Sequence, residues 1–324
     1  MPQLQNYKRK PIQRCDLPKV VDLLSACETV DQLDTNHSLT ELERGFDNHP
    51  PNTIRNHYLW ETPDGQPIGY AIYGIRDQPE TRQAYPSVKV HPDYREGDLE
   101  AEILTWCEQE IHSLRPDAIL WANARADRPH YTSLYESLGY QPVRWFHRMS
   151  RSLITSISKP KLPAGFTTRT CQGEADVEPW VDMFNQTFID HWEFHPCPVE
   201  NRHHQIQRPT YQADLDWIAI APEGTFAAFC DGRIFPERNA RTGRKEGWIT
   251  GLGTRRGFRR QGLGRAMLLL GLHQLKQAGM EIALLGVDSE NPNQAQKLYE
   301  SVGFETVQTS VAYTKKFGVA ELGG

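Results

Sequence analysis

Residues 250–270 read TGLGTRRGFRRQGLGRAMLLL. An apolar, strand-like stretch runs into a basic turn, and a long apolar segment follows. Leu263, Met267, Leu270 and Leu275 recur at the interval of one helix face, and Gly279 supplies the stop. The first turn of a helix carries unpaired N–H groups and a partial positive charge, so it receives anions. Gly262 and Gly264 let the backbone approach such an anion closely, and Arg255, Arg256, Arg259 and Arg260 add charge around it. The chemistry this combination supports is the cradling of a diphosphate. A solvated basic turn capping an ordinary helix would carry the same letters, and a short glycine pattern does not decide between them.

The elements that must position this turn can be read on either side of it. Residues 162–170 are expected to form a first strand, and about 175–189 a helix. Residues 216–221, 225–235 and 247–254 have the apolar and β-branched content of strands. The helix over about 262–277 comes next. IALLGV (282–287) is a continuous apolar run, as expected of a strand buried on both faces. Asn291-Pro292 reads as a helix start, with Asn291 as cap, the helix running to Gly303. Residues 305–317 are expected to be a closing strand. This mixed order implies an α/β (α+β) fold, a mixed central sheet flanked by helices.

The pattern is written twice. LYESLGY (134–140) and LYESVGF (298–304) are offset by 298 − 134 = 164 residues. At that offset Arg95 falls on Arg259, Leu99 on Leu263 and Leu104 on Leu268, and residues 117–140 fall on 281–304 without a gap. A register that holds through loops as well as helices implies two copies of one fold, with a period of domain length. The first copy repeats the grammar: strands near 54–61, 68–76 and 85–90 with an Asp64-Gly65 turn, a helix from about 98, a strand at 118–123, a helix, and a strand at 140–148. The expected domains are 1–152 and 162–324, joined by a polar, proline-bearing linker at 153–161.

Two motifs of the second copy resemble those of the GNAT (N-acetyltransferase) superfamily. Arg259-x-x-Gly262-x-Gly264 is similar to its coenzyme A diphosphate loop. Asn291, Ala295, Leu298-Tyr299 and Gly303-Phe304 are similar to its following strand–helix motif. The paired copies resemble tandem-GNAT proteins of mycothiol-synthase-like architecture. The resemblance implies acetyl-CoA as co-substrate, held by Leu252, Gly253, Thr254, Arg259, Arg260, Gln261, Gly262, Leu263, Gly264, Arg265 and Asn291. It also implies direct attack on the thioester by a primary amine of a small molecule, with no protein nucleophile. Amides around Leu252 to Thr254 would hold the pantetheine and polarise the thioester carbonyl. Tyr299 falls where the family places the group that meets the departing thiolate. A thiol ordinarily titrates near about 8.5 and a tyrosine near about 10, which makes Tyr299 a better hydrogen-bond donor than proton donor. A non-catalytic acyl-CoA sensor would need the same cradle.

A base must take the proton of the amine. His191 and Glu193, with His195, lie in DHWEFHP (190–196), and Glu246 and Asp288 are placed near strand ends. The order His-x-Glu-x-His, interrupted by Pro196 and Pro198, argues against a metal site.

The copies differ where the cradle is. Asp98 stands in the place of Gly262, Glu100 of Gly264, Glu96 of Arg260 and Asp127 of Asn291. Carboxylates there satisfy the helix start themselves and repel a bound diphosphate, so the first copy is expected not to bind acyl-CoA and to support the second. The formal net charge of −5 argues against a nucleic-acid or anionic-membrane partner. The first residues hold no apolar signal segment, and six cysteines lie scattered without a C-x-x-C pair. A cytoplasmic location, as monomer or homodimer, is expected.

Overall fold

The computed structural model describes residues 6–34, 38–47, 53–77, 82–95, 98–208 and 210–317. Glu96, compared above with Arg260, lies outside them. The chain forms two compact units, residues 1–145 with 310–324, and residues 146–309.

The first unit carries β1 (Lys8–Pro11), α1 (Leu17–Asp31), α2 (Leu39–Asp47), β2 (Thr53–Glu61), β3 (Pro67–Asp77), β4 (Arg82–Val90), α3 (Leu99–Leu114), β5 (Ile119–Arg125) and α4 (Pro129–Ser137). The second is built from the outer part of β6 (Gln141–Ser152), then β7 (Thr167–Thr170), α5 (Val177–Phe188), α6 (Val199–Ile206), β8 (Asp216–Ile220), β9 (Phe226–Ile234), α7 (Pro236–Thr242), β10 (Glu246–Thr254), α8 (Leu263–Gln277), β11 (Ile282–Asp288) and α9 (Ala295–Glu300). The chain ends in β12 (Glu305–Lys316).

The closing strands are exchanged between the copies. β12 pairs antiparallel with β5, from Ser310↔Arg125 to Lys316↔Ile119. β6 pairs antiparallel with β11, from Phe146↔Asp288 to Ser152↔Ile282. The sheet portion of the first unit therefore runs β1-β2-β3-β4-β5-β12 and that of the second β6-β11-β10-β9-β8-β7. The segment 153–161, read as a linker, lies inside the second unit, and the last strand of the chain belongs to the first. β6 (QPVRWFHRMSRS) and β12 (ETVQTSVAYTKK) both mix polar and apolar residues along their length, and strand content of this kind does not specify which β5-type or β11-type edge a strand meets.

In each sheet one parallel pair begins and then separates. β10 follows β11 only from Glu246↔Ile282 to Ile249↔Leu285. β4 follows β5 at Gln83↔Ile119 and Ala84↔Leu120, the same register once 164 is added. Leu268, Leu272 and Leu275 of α8 cover one side of the second sheet in a core with Ala283 and Leu285. Trp180 and Met183 of α5 pack on the other side, with Ile218 and Phe229. Beyond Ile249↔Leu285 the strands β10 and β11 leave a gap between them.

Asn291 does not cap a helix. Its Oδ1 accepts from the N–H of Asn293 at 2.9 Å, and the helix begins only at Ala295, after Gln294 at φ +55°. A side chain that closes a turn on the second N–H ahead competes with the cap it was expected to make.

Candidate active site

The gap opens into a cavity of about 450 Å³ within the second unit, in the range of small-ligand sites. Its wall on one side is the end of β10. Arg255 donates its N–H to Ala227 O at 2.8 Å, so by strand alternation the N–H groups of Leu252 and Thr254 point away from β9 and into the gap. Residues 252–254 all line the cavity.

Its floor is the turn before α8. Gly257 (φ +94°), Arg260 (φ +63°) and Gly262 (φ +90°) are left-handed. Gln261 between the last two is not, and such alternation makes a concave nest of N–H groups. Among the described residues, no acceptor of the chain meets the N–H groups of residues 260–265. Arg260 and Lys297 also line the cavity. Neither side chain makes an ion pair or hydrogen bond among the described residues, so their charge is available to a ligand. These groups fit the diphosphate of a coenzyme A thioester: bare amides at a helix start, with two cations beside them.

Arg259 lines the cavity but is committed elsewhere. Nε donates to Thr254 O at 3.2 Å, one terminal nitrogen to Thr187 O at 2.8 Å, and the other to Asp190 at 2.8 Å and Asn293 at 3.2 Å. Its bond, with that of Arg256, holds the Asp190 carboxyl below its ordinary range. Arg259 is a clamp that ties the turn to the end of α5. The first unit repeats the clamp: Arg95 Nε donates to Val90 O at 2.9 Å and the guanidinium grips Asp31 at 2.5 and 2.9 Å. The two carbonyls are 254 − 90 = 164 residues apart. Arg255 and Arg256 are likewise spent, on Asp182 and Asp190.

α5 presses directly on β10 here. A Cβ placed on Gly253 would meet Thr187 Cγ2 at 2.2 Å and Phe229 Cε1 at 2.8 Å, so only glycine admits this approach. Thr187, Phe188 and His191 thereby become cavity wall.

The other expected residues divide. Leu263, Gly264, Arg265 and Asn291 line the cavity with Tyr299. Gln261 does not; its side-chain amide turns back to Gly257 O at 3.4 Å. Arg265 also bonds Ser301 at 2.7 Å. His191 lines the cavity, and its Nε2 accepts from the Asn291 amide at 3.1 Å, since an NH2 group can only donate. Glu193 is exposed, at φ +52°, and is not part of the lining. Glu246 sits at the far end of β10, opposite Ile282, away from the gap rather than at it. Asp288 accepts the N–H of Glu290 at 3.0 Å. Tyr299 is buried, its burial pushes the phenol up, and its hydroxyl makes no hydrogen bond among the described residues. Lys297, Gln294 and Phe258 also line the cavity without having been singled out. Lys297 lies two residues before Tyr299, and a lone lysine on a short helix gives no signal in the sequence.

The equivalent place in the first unit is filled. Tyr131, aligned with Ala295, donates to Asp31 at 2.6 Å and receives Lys89 at 2.8 Å. Glu100, aligned with Gly264, is buried and bonds His130 at 2.5 Å rather than an N–H of the helix start, and Asp98 makes no side-chain cap, so these carboxylates do not satisfy the helix start as expected. Burial pushes the Asp31 carboxyl up, but Arg95 and Tyr131 outweigh it and hold the group below its ordinary range.

Residues 177–304 match the model of the acetyltransferase (GNAT) family. A mycothiol acetyltransferase from Frankia casuarinae is 30% identical over 266 residues, covering 78% of this chain and 72% of its own. The chain belongs to the GNAT acetyltransferase family. A mycothiol acetyltransferase from Salinispora tropica is 27% identical over 308 residues, 93% of this chain and 94% of its own. Among solved structures, a GCN5-related N-acetyltransferase from Sphaerobacter thermophilus superposes with a TM-score of 0.77 at 22% identity, covering 97% of this chain and 96% of its own. A tandem GNAT protein from the clavulanic acid biosynthesis pathway gives 0.77 at 14%, covering 97% and 100%. The last two show the fold, a tandem GNAT one. The chain is an N-acetyltransferase, and GNAT acetyltransferases use acetyl-CoA as co-substrate. Among the described residues no helix is long and apolar enough to cross a membrane, and no group of three or more His, Cys, Asp or Glu side chains is gathered as metal ligands would be.

Proposed function

We propose that this protein transfers the acetyl group of acetyl-CoA to a primary amine of a small molecule, with the second unit as the catalytic one. The observation that carries this is the row of unmet N–H groups at 260–265, opening into a cavity that also holds Tyr299. Bound there, the thioester supplies an activated acyl carbon. The amides of residues 260–265, with Arg260 and Lys297, hold the diphosphate. The N–H groups of Leu252 and Thr254 polarise the acyl oxygen as negative charge grows on it. The name that its relatives carry supports a small-molecule acceptor. The deciding assay is thiol release from acetyl-CoA against a panel of primary amines. No release above background with any amine, despite bound acetyl-CoA, overturns the reading.

Tyr299 acts as a hydrogen-bond donor to the departing sulfur. Burial moves its phenol further above a thiol, so the proton stays on the tyrosine oxygen while the bond stabilises the thiolate. Tyr299→Phe should lower kcat about tenfold to a hundredfold and leave acetyl-CoA affinity within about threefold, as for loss of an interaction made in the transition state. Steady-state kinetics with calorimetric binding separate the two.

The first unit does not bind acetyl-CoA. Tyr131, bonded to Lys89 and Asp31, and Glu100, bonded to His130, stand where the second unit has its cradle. Titration of the full chain should give one acetyl-CoA per chain; two sites of similar affinity would refute this.

A further inference from the structure

The face of the second sheet opposite α8 has an open floor in its middle. Thr250 in β10 and Gly286 in β11 are exposed although both strands are central. A Cβ placed on Gly286 would meet nothing within 4 Å. At the edge of this floor lies a buried carboxylate that the acetyl-CoA site leaves unused. Asp231 of β9 stands opposite Gly251 in register, one residue from the cavity wall at Leu252. That is about 3.4 Å along the strand. Thr250, itself exposed, donates its hydroxyl to Asp231 Oδ2 at 3.0 Å. The carboxylate therefore touches a side chain on the open floor and lies beside the strand that would present the acyl carbon.

We propose that the acceptor amine reaches the thioester across the floor at Thr250 and Gly286, and that Asp231 receives the proton it must lose. This rests on the acetyl transfer proposed above. An alkylammonium brings three N–H protons, and the amide product keeps one. The first proton passes to a carboxylate oxygen of Asp231, freeing the nitrogen lone pair that forms the C–N bond. The C–S bond breaks with its electron pair going to sulfur, and a second nitrogen proton ends on the thiolate or in solvent. Asp231 then returns its own proton to water through the open floor.

The surroundings favour a carboxylate that can take up a proton. Burial pushes the Asp231 carboxyl up, and the Asp216 carboxylate, paired with it across β8, pushes the same way. Arg233 on its own strand, Thr250 on β10 and Arg202 on α6 pull down without reversing the shift. α5 presents Phe184 and Phe188 to neighbouring Phe229, with no charge. A base above its ordinary range is better matched to an ammonium ion. Below its folded pKa the group is protonated and cannot accept, so activity should fall on the acid side.

The test uses the full chain with acetyl-CoA and glucosamine, L-cysteine ethyl ester, ethanolamine and spermidine as probes. Asp231→Asn should lower kcat about a hundredfold or more and abolish the acid limb of the kcat profile, with acetyl-CoA affinity unchanged within about twofold. Thr250→Val removes a hydrogen bond to the ionised form at an exposed position. It should move the acid limb up by roughly 0.5–1 pH unit, and it decides the matter if the Asp231 variant does not fold. An acid limb in the same place in either variant overturns the proposal while leaving acetyl transfer intact. Wild-type protein that binds acetyl-CoA but transfers to no amine overturns both.

Discussion

Gly264→Glu should weaken acetyl-CoA binding by about a hundredfold or more. The substitution installs in the second unit what the first already carries, since Glu100 stands at the equivalent place. A Cβ at Gly264 would meet Thr254 Oγ1 at 3.4 Å and Leu298 Cδ2 at 3.5 Å, ordinary van der Waals contacts that leave the helix intact. The carboxylate enters a cavity whose bare amides and two free cations are arranged for negative charge. At about 5 Å from a diphosphate oxygen and an effective dielectric near 20, repulsion is about 3 kcal/mol. In the first turn of α8 the same charge also offsets the helix dipole that would have favoured the ligand. Calorimetric titration reads the loss directly. Gly264→Ala is the control for bulk, and it should cost far less than the glutamate because it brings no charge. Equal losses in the two variants would show that space, rather than charge, sets affinity.

The repeat was legible because a register of 164 is a covalent fact, and the structure repeats it down to single bonds. Arg95 and Arg259 donate to carbonyls 164 residues apart, and the parallel strands keep the same register in both units, separating one residue later in the second. The glycine turn and its helix were legible because left-handed φ values and helix starts are local properties of the chain. Three things were not. The exchange of β6 and β12 depends on which sheet edge each meets, and the residues of a strand do not by themselves encode its partner. Arg259 reads as a ligand for an anion, yet its partners Thr187 and Asp190 lie about seventy residues away and appear only when α5 folds against β10. Asp231 gave no signal either. CDGRIF reads as an ordinary strand with one solvated carboxylate, and only burial within the folded sheet, with Asp216 of β8 paired beside it, raises its pKa. His191 shows the converse, a residue in a chemical-looking cluster whose Nε2 lone pair is taken by Asn291.

Asp216→Ala should destabilise the second unit by about 3–5 kcal/mol. Asp216 and Arg202 are both fully buried and form a direct ion pair. Tyr211 donates to the same carboxylate at 2.8 Å, and the guanidinium stacks over Trp180 at 3.8 Å. Removing the carboxylate leaves Arg202 in the interior with Cys171 Sγ and Gln205 as its remaining hydrogen-bond partners. An unpaired buried charge costs far more than the net worth of the pair, because desolvation is no longer offset. A unit of this size loses roughly 2–4 °C of midpoint per kcal/mol, so its transition should fall by about 10 °C. The sign of the mechanism is checked by the double variant Arg202→Met, Asp216→Leu, which removes both charges and should recover much of the loss. A double variant less stable than Asp216→Ala would mean that shape, not charge, holds these elements. The effect reaches the site through α5. Trp180 is the face on which Arg202 stacks, and the same helix ends at Thr187 and Phe188 on the cavity wall. Asp216→Ala should therefore weaken acetyl-CoA binding as well, although it touches no cavity residue, and the double variant should restore binding in step with stability.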